Sequence, residues 1–343
     1  MRVTYWTTAP LEPLIEAVSK EVEDLARHFA GRLFAVSPHL SLKVQERGRT
    51  LGFHPVFDPL LRLLVPAIES RTDINHVYSE ISPWLFHKTL RRKPIVFTIA
   101  SEDGTPLPQF LERCARIVVQ TSRMAGQLTR LGVKRERMQL IYPGVDLTAL
   151  APRGQAAPRR KPKILLATFP RSSEELAERG VLFLLDAARQ NPDMHFSLLS
   201  RPWRNGSTAL DVVKRQVEER ALRNVVVLEG VQTDMRSIYL EHDFTVIPYT
   251  TPGGGKECPR SLVETLACGV PALISSVAPF SEFVREQDCG EVFELTPAGL
   301  ATATERALSR YAPLSASAAQ CARRYFDLRS TMQAYSGLYD GLQ

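Results

Sequence analysis

Three consecutive glycines, a Lys-Glu pair and a helix start share one stretch, Thr251-Pro-Gly-Gly-Gly-Lys-Glu-Cys-Pro-Arg-Ser-Leu-Val-Glu-Thr-Leu-Ala-Cys268. The apolar run Phe244-Thr-Val-Ile-Pro-Tyr249 precedes it, and Val270-Pro-Ala-Leu-Ile274 follows. A glycine-rich turn feeding a helix N-terminus offers backbone N–H groups and the positive end of a dipole, which suit an anion such as a diphosphate. The helix is predicted over 261–268. Glu264 falls inside it, where a carboxylate can accept bonds from sugar or ribose hydroxyls. The same residues also fit a plain strand-to-helix connection, with Glu264 paired to Arg260 one turn back.

Such a turn needs strands to hold it. Apolar runs of strand length alternate with amphipathic stretches along the chain, the pattern of a parallel α/β sheet. In the first half the strands are expected at 3–6, 33–36, 95–99, 117–119 and 140–142, with helices at 11–29 and 121–131. Residues 151–162 are rich in proline, small residues and charge, lack an apolar period, and read as a linker. The pattern then restarts. Strands are expected at 163–167, 195–199, 225–228, 244–248 and 272–275, and helices at 181–190, 211–220 and 235–240. A helix is also expected near the C-terminus, where Leu328, Met332, Tyr335 and Leu338 recur at helical spacing. Two similar α/β halves place a ligand at the carboxyl ends of their strands, in a central cleft.

A chain of 343 residues accommodates two domains. Hydrophobic content of 44% and charged content of 23% are those of a soluble globular protein. No apolar run reaches the ~20 residues of a membrane span, and the acidic residues after Pro10 argue against a signal peptide. Five scattered cysteines without a CxxC pair indicate neither a disulfide framework nor a zinc site, so a cytoplasmic location is expected. The net charge is +6. Its excess is clumped at Lys88, Arg91, Arg92 and Lys93, just after Trp84-Leu85-Phe86, and again at 153–163. Basic clusters of this kind fit anionic ligands, an anionic membrane surface, or simply solvated faces. No nucleic-acid recognition module is visible.

Four stretches make the chain resemble the group 1, family 4 retaining glycosyltransferases of the GT-B fold. Val118-Val-Gln-Thr-Ser122 through Gly144-Val-Asp146 is similar to the family's "iv-x-S … G-V-D". Ile164-Leu-Leu-Ala-Thr-Phe-Pro-Arg171 with Arg179-Gly-Val-Leu-Phe-Leu-Leu-Asp-Ala-Ala188 resembles its strand, basic residue and "K-G-x-x-x-L-x-x-A". Val225-Val-Val-Leu-Glu-Gly-Val231 with His242-Asp-Phe-Thr-Val-Ile-Pro248 matches "G-x-v … a-D-x-f-v-x-P", and the glycine stretch matches "E-G-F-G-x-x-x-L-E-A-x-A-x-G-x-P-V". The match is specific over about 115–275 and weak over 1–70.

The resemblance implies two Rossmann-like domains facing a cleft. An acceptor domain would span 1–150, with 325–343 packing back on it. A donor domain would span 163–324, beyond the 151–162 linker. It also implies sugar transfer from a nucleotide-diphosphate donor to a hydroxyl acceptor, whether glycan, lipid-linked or small molecule, with no metal and no cofactor. By position Arg171 and Arg179 would hold the diphosphate and Glu264 the ribose. Amides around Gly254, Gly255, Ser261 and Leu262, with the loop at Val231, would complete the donor contacts. Preorganised cations and helix-end amides stabilise the charge of a leaving diphosphate, and no Asp-x-Asp appears.

The chain departs from the pattern. Eight residues before Glu264, where the family expects a glutamate at the donor sugar, stands Lys256, and Glu257 comes one residue late. Either can fill the role, through a shifted loop for Glu257 or by contact with phosphate or an acidic sugar for Lys256. Arg179 replaces the family's lysine and gains a bidentate fork. Ala100 ends Val96-Phe-Thr-Ile-Ala100 where a histidine is common, and Trp6-Thr-Thr-Ala-Pro10 replaces a Gly-Gly loop. His76 is expected at a strand end facing the cleft, able to hydrogen-bond donor or acceptor; a structural histidine is the alternative. Lys256, Glu257 and His76 are thus the candidate catalytic residues. Trp84 and Phe86 offer a contact to a lipid-linked acceptor or to headgroups. A catalytically silent sugar-nucleotide binder or partner subunit is the competing function.

Overall fold

A computed structural model describes all residues except 12–15, 37–40, 45–48, 55, 57, 83–88, 103, 153–157, 202–206 and 343. The chain divides into two compact units, Met1–Pro143 with Arg329–Gln343, and Gly144–Leu328.

The first unit runs β1 (Val3–Pro10), α1 (Ala17–His28), β2 (Arg32–Val36), β3 (Ser41–Val44), β4 (Arg49–Phe53), α2 (Asp58–Glu69) and β5 (Ile74–Glu80). It continues through β6 (Ile95–Ser101), α3 (Pro108–Arg113), β7 (Arg116–Val119), α4 (Ser122–Arg130) and β8 (Met138–Leu140). The strands form one sheet in the order β3-β4-β2-β1-β5-β6-β7-β8, parallel but for β3 against β4. Strands covered on both faces need continuous apolar sequence, and Ile95 through Ile99 is buried throughout. Trp6 stacks on Phe34 at 4.6 Å between centroids, and Phe97 meets Phe110 edge-on at 5.3 Å.

The second unit begins with β9 (Lys163–Leu166), α5 (Val181–Gln190), β10 (His195–Ser200), α6 (Thr208–Glu219), β11 (Val225–Glu229) and α7 (Met235–Leu240). It goes on through β12 (Phe244–Ile247), α8 (Arg260–Ala267), β13 (Ala272–Ser275), α9 (Ser281–Glu286), β14 (Gly290–Phe293), α10 (Pro297–Ser309) and α11 (Tyr311–Tyr325). Its all-parallel sheet has the order β11-β10-β9-β12-β13-β14. The last helix, α12 (Leu328–Asp340), brings Tyr335 and Tyr339 into the first unit.

Both sheets reverse direction once. β1 leads outward to β2 while β5 lies on its other side, and β9 leads to β10 while β12 lies on its other side. At such a reversal the connections leave in opposite directions and open a crevice at the strands' carboxyl ends.

His76 departs from expectation. It is the third residue of β5, not the end of a strand, and is wholly buried. Its Nδ1 is hydrogen-bonded to the Tyr339 hydroxyl at 2.6 Å and its Nε2 to the Thr98 hydroxyl at 2.8 Å. Burial pushes its pKa down to about 3, so it is a neutral ring at any ordinary pH. With both nitrogens engaged and no surface, it cannot touch a substrate. Its role is to join β5 to α12, within a cluster where the Tyr78 hydroxyl donates to Glu21 at 2.5 Å and accepts from Gln120.

The five cysteines are buried thiols outside any disulfide. Burial raises Cys268 to about 12, which makes it a packing residue and not a nucleophile. Trp84, Phe86 and Lys88 lie outside the described residues, as does 153–157 of the expected linker. No helix among the described residues is long and apolar enough to cross a membrane.

Candidate functional site

The connections after β9 and after β12 meet at the reversal of the second sheet. Gly180 makes the first contact. It stands at the N-cap of α5 with φ of +73°, and a Cβ there would sit 1.8 Å from the Pro248 carbonyl oxygen. Only a residue lacking Cβ allows both the left-handed backbone and this approach. Next to it, the Thr250 N–H donates to the Glu178 carbonyl at 2.9 Å, and the Thr250 hydroxyl donates to the Ala177 carbonyl at 3.0 Å.

The glycine triplet divides into two kinds of position. A Cβ on Gly253 would meet nothing within 4 Å. On Gly254 it would lie 2.5 Å from the Glu178 carbonyl oxygen, and on Gly255 2.4 Å from the ring and hydroxyl of Tyr249. Gly254 and Gly255 are therefore glycine because backbone and a buried tyrosine press against them. Arg179 lies over the ring of that tyrosine, 6.0 Å from its centroid, and pairs with Glu175 at 3.5 Å. Burial raises the Tyr249 phenol, and the nearby Arg179 cation opposes the shift.

α8 leaves from this turn. Pro259 stands at its N-cap and offers no side-chain bond to the helix amides. Leu262 is corrected here: its side chain is buried and its N–H already donates to the Pro259 carbonyl at 3.0 Å. The amides that precede this first bond are those of Arg260 and Ser261. The Ser261 hydroxyl is buried with no hydrogen-bond partner among the described residues, an arrangement that a polar ligand would complete.

Glu264 lies one turn further along. Tyr239 donates its hydroxyl to Oε2 at 2.9 Å, and Arg260 donates Nε–H to Oε1 at 2.8 Å. The pairing with Arg260 foreseen from the sequence is present. It orients the carboxylate without exhausting its lone pairs, and 18% of the side chain stays exposed.

Lys256 is half-buried while Glu257 has no exposed surface. The one-residue slip noted in the sequence thus separates a half-buried lysine from an enclosed glutamate. Arg171 is exposed on the connection after β9, and its carbonyl accepts from the Ser207 hydroxyl at 2.9 Å. Val231 is also exposed, on the loop after β11 at the edge of the sheet, separated from β12 by β10 and β9.

Three residues at this crevice escaped sequence reasoning. Arg201 follows β10, donates to the Ala167 carbonyl at 3.3 Å, and exerts its charge on both Tyr239 and Tyr249. Tyr249 and Tyr239 fix the glycine turn and Glu264. Arg201 and Tyr249 each stand one or two residues beyond the carboxyl end of a parallel strand, and that position was the signal available. Among the described residues no group of three or more His, Cys, Asp or Glu is arranged to hold a metal.

Residues 167–310 match the family described as Glycosyl transferases group 1, and residues 18–149 match Glycosyltransferase Family 4. The chain belongs to the group 1, family 4 glycosyltransferases and has the GT-B fold. A D-inositol 3-phosphate glycosyltransferase of Mycobacterium sp. (strain JLS) is 26% identical over 193 residues, covering 54% of this chain and 43% of that protein. The putative colanic acid biosynthesis glycosyltransferase WcaL of Escherichia coli (strain K12) is 25% identical over 196 residues, 54% of this chain and 46% of WcaL. The matched region thus spans under half the length of these relatives. Among solved structures, sucrose-phosphate synthase from Thermosynechococcus elongatus aligns over 100% of this chain and 99% of its own, with TM-score 0.80 and 16% identity. Anabaena HepE in complex with UDP-glucose aligns over 100% of both chains, with TM-score 0.78 and 14% identity.

Proposed function

We propose that this chain transfers a sugar from a nucleotide-diphosphate-sugar donor to a hydroxyl acceptor, with retention at the anomeric carbon and without a metal. The observation that carries this reading is the convergence at one crevice of Arg179, the α8 N-terminus with the Ser261 hydroxyl, and the oriented Glu264 carboxylate. Cations and amides suit a diphosphate, and a carboxylate suits the two hydroxyls of a ribose. The UDP and UDP-glucose held by HepE, a structure of the same fold, support a donor of this class.

In the reaction the bond between anomeric carbon and phosphate oxygen breaks, and its electrons pass to the departing diphosphate. Arg179, Arg201 and the helix-end amides are fixed before that charge appears, so no reorganisation is needed as it grows. The acceptor oxygen joins the same face of the sugar, and its proton passes to the leaving phosphate. Lys256 takes the donor-sugar position, because Glu257 is enclosed.

A thermal-shift screen against nucleoside diphosphates and nucleotide sugars tests the site, since a ligand bound to the native state raises its apparent stability. At least one should stabilise the wild type, and Glu264→Ala should weaken that ligand about tenfold or more, as expected for lost hydrogen bonds to a charged group. No shift with any of them would refute the donor assignment.

We also infer a cytoplasmic location with peripheral membrane contact. Buried thiols outside any disulfide fit a reducing compartment. Leu60, Leu63 and Leu64 are exposed on α2 beside Arg62, and such a face suits an anionic lipid surface. Cell fractionation checks both. Recovery in a secreted fraction, or no membrane pool at low salt, would count against them.

A further inference from the structure

Every parallel strand of the first sheet starts at or just after a cation. β4 begins with Arg49, β2 with Arg32 and β7 with Arg116. Arg2 directly precedes β1, Arg137 directly precedes β8, Lys93 lies two residues before β6, and Arg71 three before β5. These strands run in one direction in the order β4-β2-β1-β5-β6-β7-β8, so their starts share one edge, opposite the crevice at the carboxyl ends. At a strand spacing of about 4.8 Å they form a row roughly 29 Å long. The charges feel one another: burial lowers the pKa of the Arg32 guanidinium first, and Arg2, Arg71 and Arg49 lower it further.

The protein's net charge lies in this unit. It has 21 lysines and arginines against 15 aspartates and glutamates, the whole of the +6, while the second unit has 22 of each. Part of the row has local work. Arg32 donates to the Arg71 carbonyl at 2.9 Å, Arg2 pairs with Asp73 at 3.0 Å, and Arg137 donates to the Leu111 and Glu112 carbonyls of α3 at 2.5 and 3.0 Å. Helix C-termini also favour cations, which accounts for Arg113 and Arg130 in the last turns of α3 and α4. Neither reason covers the exposed Arg49, Arg71, Arg92 and Arg135, nor the repetition from strand to strand. Like charges this close repel, and an opposite charge laid along them relieves the repulsion.

We propose that this edge docks an extended acidic segment of a partner protein, whose carboxylates meet successive strand-start guanidiniums and leave that unit's crevice free. Three observations select this partner. The cations follow a line, which matches an extended chain of about nine residues, whereas a bilayer offers a plane. Six of the seven strand-start cations are arginines, whose planar fork takes a carboxylate bidentately. The exposed large apolar side chains among the described residues include no aromatic ring on which a nucleobase could stack. The docking is independent of the reaction the chain catalyses.

The test uses the full chain and a fluorescein-labelled peptide of about ten glutamates, read by anisotropy at low salt. Binding in the micromolar range is expected, weakening steadily as added salt screens the row. Arg49→Glu with Arg135→Glu reverses an exposed charge near each end of the row and should weaken the peptide about tenfold or more. Arg189→Glu with Arg215→Glu makes the same change of net charge on the second unit. It should weaken the peptide less than about twofold, because charge away from the docking line acts only through a screened field. Each substitution falls on an exposed side chain, so melting temperatures should stay within about 2 °C of the wild type. If the reversals melt early, Arg49→Gln with Arg135→Gln repeats the comparison with a smaller expected loss. Vesicles of phosphatidylserine and phosphatidylcholine in equal parts, an oligothymidylate and polygalacturonate serve as rival probes. Failure of the peptide to bind overturns the proposal, as do equal losses in the edge and second-unit variants. So does a rival probe that binds the wild type more tightly than the peptide and loses that advantage in the edge variant.

Discussion

Gly255→Ala tests whether the glycine triplet is a generic flexible turn or a fitted one. The added Cβ would lie 2.4 Å from Cζ and from the hydroxyl oxygen of Tyr249, and 2.8 Å from Cε2. Ordinary contact begins near 3.4 Å, so the ring or the turn must retreat by about 1 Å. Tyr249 is 1% exposed, and overpacking of a close-packed interior costs about 1–3 kcal/mol. The displacement carries Arg179 and the α8 N-terminus with it, and misplacement on that scale lowers binding or turnover by about 10–100-fold. Urea denaturation should show the stability loss as a lower midpoint at unchanged slope. Calorimetric titration with the stabilising nucleotide should show the affinity loss. Gly253→Ala, which meets nothing within 4 Å, should stay within about 0.5 kcal/mol of the wild type. Repeating Gly255→Ala in a Tyr249→Ala background removes the obstacle, so its cost should fall there, giving a coupling of about 1 kcal/mol or more. Equal costs in the two backgrounds, or wild-type stability and nucleotide affinity in Gly255→Ala alone, would refute this reasoning.

Two further outcomes are expected. Lys256→Ala should reduce the affinity for UDP-glucuronate more than that for UDP-glucose, by about tenfold, if an ammonium faces the donor sugar; equal losses measured by titration would remove Lys256 from that position. The buried His76 makes stability depend on pH in a defined direction. Its folded pKa lies near 3, below its usual 6.5, so only the unfolded chain binds the proton between those values. Its contribution is complete above pH 6.5 and is lost as pH falls, at about 1.4 kcal/mol per pH unit well below 6.5. Denaturation midpoints at pH 6 and pH 5 should differ less in His76→Gln than in the wild type, and an identical difference would contradict the assignment.

The second unit was legible because its sheet is parallel and covered on both faces. Five of its six strands read as largely apolar runs, β14 (Gly-Glu-Val-Phe) being missed, and helices 181–190 and 235–240 fall at their expected bounds. β5 was foreseen only as a strand ending at His76, without bounds of its own, since Ile-Asn-His-Val-Tyr-Ser-Glu looks polar. Its polar residues are buried because each meets a partner distant in sequence: Trp6 donates to Asn75, Asn75 donates to Glu69, and His76 meets Tyr339. No local pattern shows such pairing. α10 and α11 were missed as well, being rich in alanine, whose small side chains define an apolar face weakly. At the site, glycine spacing and an i,i+4 pair marked the turn and Glu264. Arg201 and Tyr239 come to that place only through the tertiary fold.

The two units solve the same backbone problem with differently capped helices. Each sheet reverses once, and each reversal has a helix starting near it. In the second unit that helix, α8, begins behind a proline that gives its amides no side-chain acceptor, with a buried serine hydroxyl left unsatisfied and arginines on the neighbouring connections. In the first unit, α1 begins behind Glu16, whose carboxylate already accepts a helix amide. A helix N-terminus attracts anions only while its own chain has not supplied one. The two helix starts thus differ in their caps, a proline that accepts nothing at α8 and a glutamate that accepts a helix amide at α1, while the fold supplies only the place.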